Sequence, residues 1–330
     1  MRDPEFWGER PGFLAKSLSP FAALYGAVAR ARLESAAPRA NVPAIAIGGL
    51  TLGGDGKTPT ALALAAILLA RGERPVFLSR GYGRRRERHA PFVVDPTRYD
   101  ARDVGDEALL LARMAPTIIG VDRAASARLA ETLGASVLVL DDGLHGRRLD
   151  PDLAILVVDA DYGAGNGFCP PAGPLRAPLA AQFSRADAIV LIGEGAGLSR
   201  AAEKPVLRAR LWPDPAVSAR LSGARVFAFA GIGRPLKFAR TLGDIGADMV
   251  GFRWFSDHHV YSPRELAALE REASRRAAKL VTTQKDAARL GLDLSRLVAD
   301  AEALPVQLRF EQPDLAKSLI MRSLARARGL

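Results

Sequence analysis

The sequence predicts an α/β protein with a parallel sheet flanked by helices and a second, smaller α/β domain. Three observations carry that expectation. Short apolar runs bounded by glycine, proline or acidic residues recur along the chain, as buried strands of a parallel sheet do. Helical patterns alternate with them. A glycine-rich stretch, GGLTLGGDGKTPT (48–60), follows the first such run.

The elements are expected in this order. Residues 6–33 (FWGERPGFLAKSLSPFAALYGAVARARL) combine bulky apolar residues with Arg10, Lys16, Arg30 and Arg32. An amphipathic segment of this kind lies in a membrane interface or packs on the protein's own core. VPAIAI (42–47), PVFLS (75–79), PTIIGV (116–121), ASVLVLDDG (135–143), DLAILVVD (152–159) and DAIVLIGE (187–194) read as strands. Helices fall between them, at Pro59–Ala70, GDEALLLARM (105–114) and DRAASARLAETLG (122–134). LWPDPAV (211–217) reads as a linker. ARVFAFAGIG (224–233), GADMVGF (246–252), AKLVTTQKD (278–286) and LPVQLRF (304–310) supply further strands, and Pro313–Arg328 a terminal helix. The expected units are an N-terminal helical segment (1–38), a catalytic domain (39–215) and a smaller C-terminal domain with its terminal helix (216–330).

The 330 residues are 48% hydrophobic and 25% charged, enough for an ordinary globular core. The single cysteine, Cys169, rules out an intramolecular disulfide. No uncharged apolar run reaches the roughly 18 residues that span a bilayer. The net charge of +10 favours anionic partners: nucleic acid, anionic lipid or a phosphorylated substrate. At 6% aromatic residues, with no RNA-binding signature of interleaved aromatics, nucleic acid is disfavoured.

The glycine stretch sits between a strand and a helix, as a phosphate-binding P-loop does, which makes the expected sheet P-loop NTPase-like. Its first glycine is replaced by Thr51, with Leu52, Gly53, Gly54, Asp55, Gly56, Lys57 and Thr58 completing the loop. Glycines let backbone N–H groups approach phosphate oxygens, Lys57 would meet the β and γ phosphates, and Thr58 would ligate Mg²⁺. A carboxylate in such a cradle is repulsive unless it points away, so Asp55 is expected to face solvent or a Mg²⁺-bound water. Asp141 and Asp142 end an apolar strand, where a P-loop ATPase keeps its Mg²⁺-binding acid. TTQKD lacks the frame of a guanine-specificity motif, which favours ATP over GTP.

GGLTLGGDGKTPT, SRGYGR (79–84), VGDEALLLAR (104–113), DDGLHGRRLDPDL (141–153), GPLRAP (173–178), FSDHHVY (255–261) and TTQKDAARL (282–290) occur in this order. The set resembles the tetraacyldisaccharide 4'-kinase family over nearly the whole chain. The resemblance implies ATP- and Mg²⁺-dependent phosphorylation of the 4'-hydroxyl of a lipid A disaccharide 1-phosphate, giving lipid IVA. It also implies a peripheral protein on the cytoplasmic face of the bacterial inner membrane, attached to an anionic surface partly by a membrane-associated N-terminal helix. Neither nucleic acid nor an obligate protein partner is implied. The resembled family usually carries Asn at position 49, Thr or a similar residue at 55, Gln-His at 145–146 and Glu at 284. This chain has Gly49, Asp55, His145-Gly146 and Gln284 there.

Transfer to a sugar hydroxyl needs alignment, charge neutralisation and a proton acceptor. Asp106 is the candidate acceptor, paired with His258, and both match the family's catalytic pair. Asp106 also suits a helix N-cap, and His259 is the alternative partner. Glu107 either joins the Mg²⁺ shell with Asp141 and Asp142 or simply opens its helix. Arg123 and Arg176 match family arginines near phosphate or substrate. SRGYGRRRER (79–88) would contact the 1-phosphate or lipid headgroups, or remain a solvated basic loop. Two rival functions stay open: a P-loop enzyme acting on a soluble metabolite, and a non-catalytic ATP switch docked on a membrane.

Overall fold

The computed structural model describes residues 4–84, 90–146, 148–195, 204–291 and 301–330. Residues 85–88 of the basic run therefore lie outside the described residues.

Helix α1 (Phe13–Glu34) opens the chain. Strands β1 (Ala44–Gly49), β2 (Pro75–Ser79), β3 (Phe92–Val93), β4 (Thr117–Ile119), β5 (Val137–Leu140), β6 (Leu153–Asp159), β7 (Ala188–Ile192) and β8 (Val206–Pro213) follow. Between them run α2 (Lys57–Leu69), α3 (Ala101–Val104), α4 (Asp106–Ala112), α5 (Arg123–Thr132) and α6 (Leu179–Arg185). Among the described residues these strands join β13 (Val306–Phe310) in a nine-stranded sheet of order β13-β8-β7-β6-β1-β5-β2-β4-β3. The run from β8 to β4 is parallel, while β13 and β3 at the edges are antiparallel to their neighbours. β1 lies between β5 and β6, so the glycine loop leaves the middle of the sheet.

Parity along β1 divides the core. Ile45 and Ile47 join Leu64 and Leu68 of α2 on one face, while Ala44 and Ala46 join Ala127 and Ala130 of α5 on the other. Successive residues of a strand point to opposite faces, so a continuous apolar run is what two covered faces require. Each fully buried Ile or Leu contributes about 1.5–3 kcal/mol relative to exposure.

The smaller sheet, β10-β9-β11-β12, is parallel throughout. Its strands are β9 (Arg225–Ala230), β10 (Asp248–Trp254), β11 (Lys279–Thr283) and β12 (Glu302–Leu304). Helices α7 (Pro215–Leu221), α8 (Pro235–Asp244), α9 (Pro263–Arg275) and α10 (Gln284–Leu290) accompany it.

Two expectations differ from what is found. LWPDPAV is not a loose linker: it is the end of β8 and the start of α7, with the Asp214 side chain accepting from Val217 N as the N-cap. The chain also does not end on the smaller sheet. β13 pairs with β8, and the C-terminal helix (Pro313–Ala327) packs Ala316, Ile320 and Leu324 into the core beneath α2. Just beyond that antiparallel pair, where the chain leaves and returns, Asp214 N donates to Pro305 O at 2.9 Å.

Candidate active site

The loop between β1 and α2 needs left-handed backbone at three places: φ is 73° at Gly53, 69° at Gly54 and 90° at Gly56. Residues with a Cβ pay to enter that region. Leu52 N donates to Pro174 O at 2.9 Å, and Arg176 Nε to Thr51 O at 2.8 Å, fixing the loop from below.

Two buried oxygens beside this loop have no partner: Thr58 Oγ1, in the first turn of α2, and Asp141 Oδ1, at the end of neighbouring β5. Buried polar atoms are nearly always hydrogen-bonded, so a pair of orphans asks for a guest. Hydroxyl and carboxylate oxygens are the donors that Mg²⁺ takes. Among the described residues no group of three or more His, Cys, Asp and Glu forms a metal cage. Mg²⁺ carried on nucleotide phosphates needs only one or two side chains, so these residues fit it.

Electrostatics separate the two adjacent acids. Burial, with Glu107 and Asp142 close by, pushes Asp141 up to about 7. Burial would also raise Asp142, but Arg176 and Lys57 hold its carboxyl well below the usual carboxylate range. Arg176 Nη1 lies 2.9 Å from both Asp142 oxygens. Asp142 itself has left-handed backbone, φ 54°, a costly conformation for a residue with a Cβ. Arg176, expected at the nucleotide, thus braces Asp142 and the loop backbone. Arg123 is buried beneath β5, with Nη2 3.4 Å from Asp141 O and Nη1 unpartnered. Burial and nearby Arg80 draw its pKa down to about 10.

Asp55 does not face solvent, and here the sequence expectation is corrected. Its carboxylate is buried and turned back into the loop, accepting from Thr51 N at 2.7 Å and Thr51 Oγ1 at 2.5 Å. Arg234, reaching over from the smaller lobe, adds a contact at 2.9 Å. The repulsion that seemed to demand an outward carboxylate is met by a cation instead.

The lobes meet at a second place. Asp106 is not the N-cap its residue type suggested: the cap is Gly105, whose φ is 89°, and Asp106 is the first residue of α4. Its Oδ1 lies 3.2 Å from His258 Nδ1 and accepts from Glu107 N at 2.9 Å, while its Oδ2 accepts from Arg289 Nη2 at 2.5 Å. Burial would raise Asp106, but His258, Arg289 and Lys285 together hold it well below the usual range. Burial would lower His258, but the bond to Asp106 outweighs it and raises its pKa. His258 also has left-handed backbone, φ 55°, which turns its ring toward Asp106. His259 points elsewhere: its Nε2 lies 3.1 Å from Glu265 Oε1, and its ring stacks on Phe255. Of the two histidines, His258 is the one that reaches Asp106. Glu107 is ion-paired with Lys285, which lowers its pKa despite burial.

Sequence reasoning missed Arg234, Lys285 and Arg289, all from the smaller lobe. Lys285 stands in TTQKDAARL, a stretch that carries the family resemblance but no assigned role for this lysine. Arg289 stands in the same stretch without a role assigned, and Arg234 lies in none of the quoted motifs; their partners lie 183 and 179 residues away. His145 is a structural residue here: its Nε2 lies 2.7 Å from Gln182 Oε1, and burial draws its pKa down to about 4.

Comparison with known proteins completes the description. The family model described as LpxK, tetraacyldisaccharide-1-P 4'-kinase, matches residues 14–324. A tetraacyldisaccharide 4'-kinase of Bradyrhizobium sp. strain BTAi1 is 47% identical, over 99% of this chain and 97% of its own. One of Methylobacterium sp. strain 4-46 is 49% identical, over 100% of this chain and 99% of its own. Among solved structures, LpxK from Aquifex aeolicus in complex with ATP aligns with a TM-score of 0.72 at 26% identity. That alignment covers 94% of this chain and 100% of the other.

Proposed function

The chain belongs to the tetraacyldisaccharide-1-P 4'-kinase family, and from that premise we propose how its own residues carry the reaction. It is an ATP-dependent kinase that phosphorylates the 4'-hydroxyl of the tetraacyldisaccharide 1-phosphate in lipid A biosynthesis. The triphosphate of ATP lies along the loop from Thr51 to Thr58, with Lys57 on the β and γ phosphates. Thr58 and Asp141 would hold Mg²⁺, with Asp142 and Glu107, fixed by Arg176 and Lys285, beside them. Mg²⁺, when bound, neutralises charge that develops on the phosphate oxygens.

The observation that carries the reading is the junction of Asp106 and His258, one from each lobe, at 3.2 Å. Both Asp106 oxygens are already engaged, so the carboxylate stays ionised and holds His258 by Nδ1. The other ring nitrogen, Nε2, is 3.8 Å from Asp257 Oδ2, beyond hydrogen-bond reach. The pair acts as one acceptor, with Asp106 orienting the ring and Nε2 taking the 4'-hydroxyl proton. Arg80, exposed, and Arg123, buried with its Nη1 unpartnered, receive the substrate's 1-phosphate.

Helix α1 is the membrane contact. It buries Ala15, Ala22, Gly26 and Leu33 against the protein and leaves Phe21, Leu24, Tyr25 and Val28 exposed. Among the described residues no helix is long and apolar enough to cross a membrane. The exposed stripe, with Lys16, Arg30 and Arg32 on the same helix, suits an anionic interface on the cytoplasmic side.

Incubation with radiolabelled ATP, Mg²⁺ and tetraacyldisaccharide 1-phosphate tests the reading. Label is expected in the lipid, and its loss in Asp106→Ala with ATP binding retained. No label in the lipid with the unaltered protein would sink it.

A further inference from the structure

Arg234 lies in the smaller lobe, between the glycine turn after β9 and the start of α8, yet its guanidinium sits on the phosphate loop of the larger one. Nη2 is 2.9 Å from Asp55 Oδ1 and 2.8 Å from Thr51 Oγ1. Nη1 donates to Asp159 Oδ2, at the end of β6, and the guanidinium lies over the Tyr162 ring, 4.1 Å from its centre. Lys237, one turn along α8, is 2.5 Å from Asp159 Oδ1. Both cations come from the smaller lobe and both carboxylates from the larger. Approach is close enough to exclude side chains: a Cβ on Gly54 would lie 2.6 Å from Arg234 Cγ, and one on Gly233 2.9 Å from Gly54 N.

The Asp55 and Asp159 side chains are each 1% exposed. Such a carboxylate is tolerated only when paired, because water no longer screens it. Asp55 stands within the very loop that must receive three phosphates, where its own charge repels them at short range. Thr51 N and Oγ1 solvate it but carry no net charge. Among the described residues Arg234 is the cation that directly contacts it.

We propose that Arg234 is a nucleotide-positioning residue. It cancels the Asp55 charge from the opposite lobe, so that the loop is receptive to triphosphate only while the lobes are closed. ATP binding and lobe closure are thereby coupled through one guanidinium. This rests on the reading of the loop as the ATP site.

The test measures ATP affinity by calorimetry, and KM for ATP and kcat by phosphate transfer, for four proteins. Arg234→Gln keeps a hydrogen-bonding group but drops the charge. It is expected to raise Kd and KM for ATP roughly tenfold or more, with kcat changed far less. Asp55→Asn added to Arg234→Gln removes the uncancelled anion, and is expected to return KM to within about threefold of the unaltered protein. Arg234→Lys should fall between, since it restores charge without the planar fork. An unchanged KM in Arg234→Gln, or a double variant no better than the single, overturns the proposal. If the unaltered protein binds no ATP, the parent reading of the loop fails and takes this one with it.

Discussion

The Asp55 carboxylate fills the space that a side chain at position 49 would need: a Cβ on Gly49 would lie 2.5 Å from Asp55 Oδ2. The two loop positions that differ from the usual family pattern are therefore one feature. Gly49→Ala is expected to cost about 1–3 kcal/mol, because the carboxylate is pinned by Thr51 and Arg234 and has no room to retreat. Asp55→Ser placed in the Gly49→Ala background should recover part of that loss. Denaturant unfolding of the single and double variants checks it, and strict additivity would contradict it.

The acid limb of the pH profile follows from His258. Its pKa is raised above the ordinary 6.5, and only the neutral ring accepts a proton. kcat/KM should therefore fall as pH drops through a value above 6.5. The same shift contributes stability that is full below 6.5 and lost as pH rises through the raised value. Asp106→Asn removes the carboxylate that raises it. Turnover should drop by about 10²–10⁴, and the residual limb should move to lower pH. A limb that stays in place would mean that another group titrates.

Asp141 gives the same direction of stability with pH, by a different route. With a folded pKa of about 7 against an ordinary 3.8, the folded protein keeps a proton that the unfolded chain releases. Stability without Mg²⁺ should thus decline as pH rises from 3.8 towards 7 and then level off. Asp141→Asn removes the repulsion with Asp142 and Glu107. It should stabilise the Mg²⁺-free protein by about 1–3 kcal/mol near pH 8 while weakening stabilisation by Mg²⁺ and ATP. Thermal melts with and without Mg²⁺ and ATP decide the matter.

Phe21→Glu with Leu24→Glu tests α1 without touching its packed side, since these residues are 64% and 68% exposed. Cosedimentation with anionic vesicles should fall several-fold with the melting temperature little changed. Deleting residues 1–33 is a poorer probe. Trp7 and Leu33 are buried, and Asn166 Nδ2 donates to Phe6 O at 3.2 Å, so deletion opens the core.

The larger lobe was legible because its signals are local. An apolar run, a glycine turn and a helical pattern sit side by side, and β1, β2, β4, β5, β6 and β7 fall within a few residues of expectation, while the two-residue edge strand β3 and the edge-side β8 were not anticipated. Asp106, His258 and the loop were found the same way, as motifs. Asp55 was misread because a sequence shows a charge without its partner, and Arg234 lies in the other lobe. Lys285 and Arg289 stand in a quoted motif, but their roles were not legible because their partners Glu107 and Asp106 lie in the other lobe. The return of β13 to β8 was hidden too, since LPVQLRF reads as a strand but does not say which sheet it joins.

That return has a mechanical meaning. The smaller lobe is an excursion with two covalent tethers, Pro213–Pro215 outward and Leu304–Val306 back, joined where Asp214 N meets Pro305 O. Two tethers held side by side at the end of the antiparallel pair β8–β13 resist twisting and sliding but permit bending. The lobe should swing on a single line, like a flap, so Arg234, His258, Lys285 and Arg289 would reach and leave the larger lobe in concert.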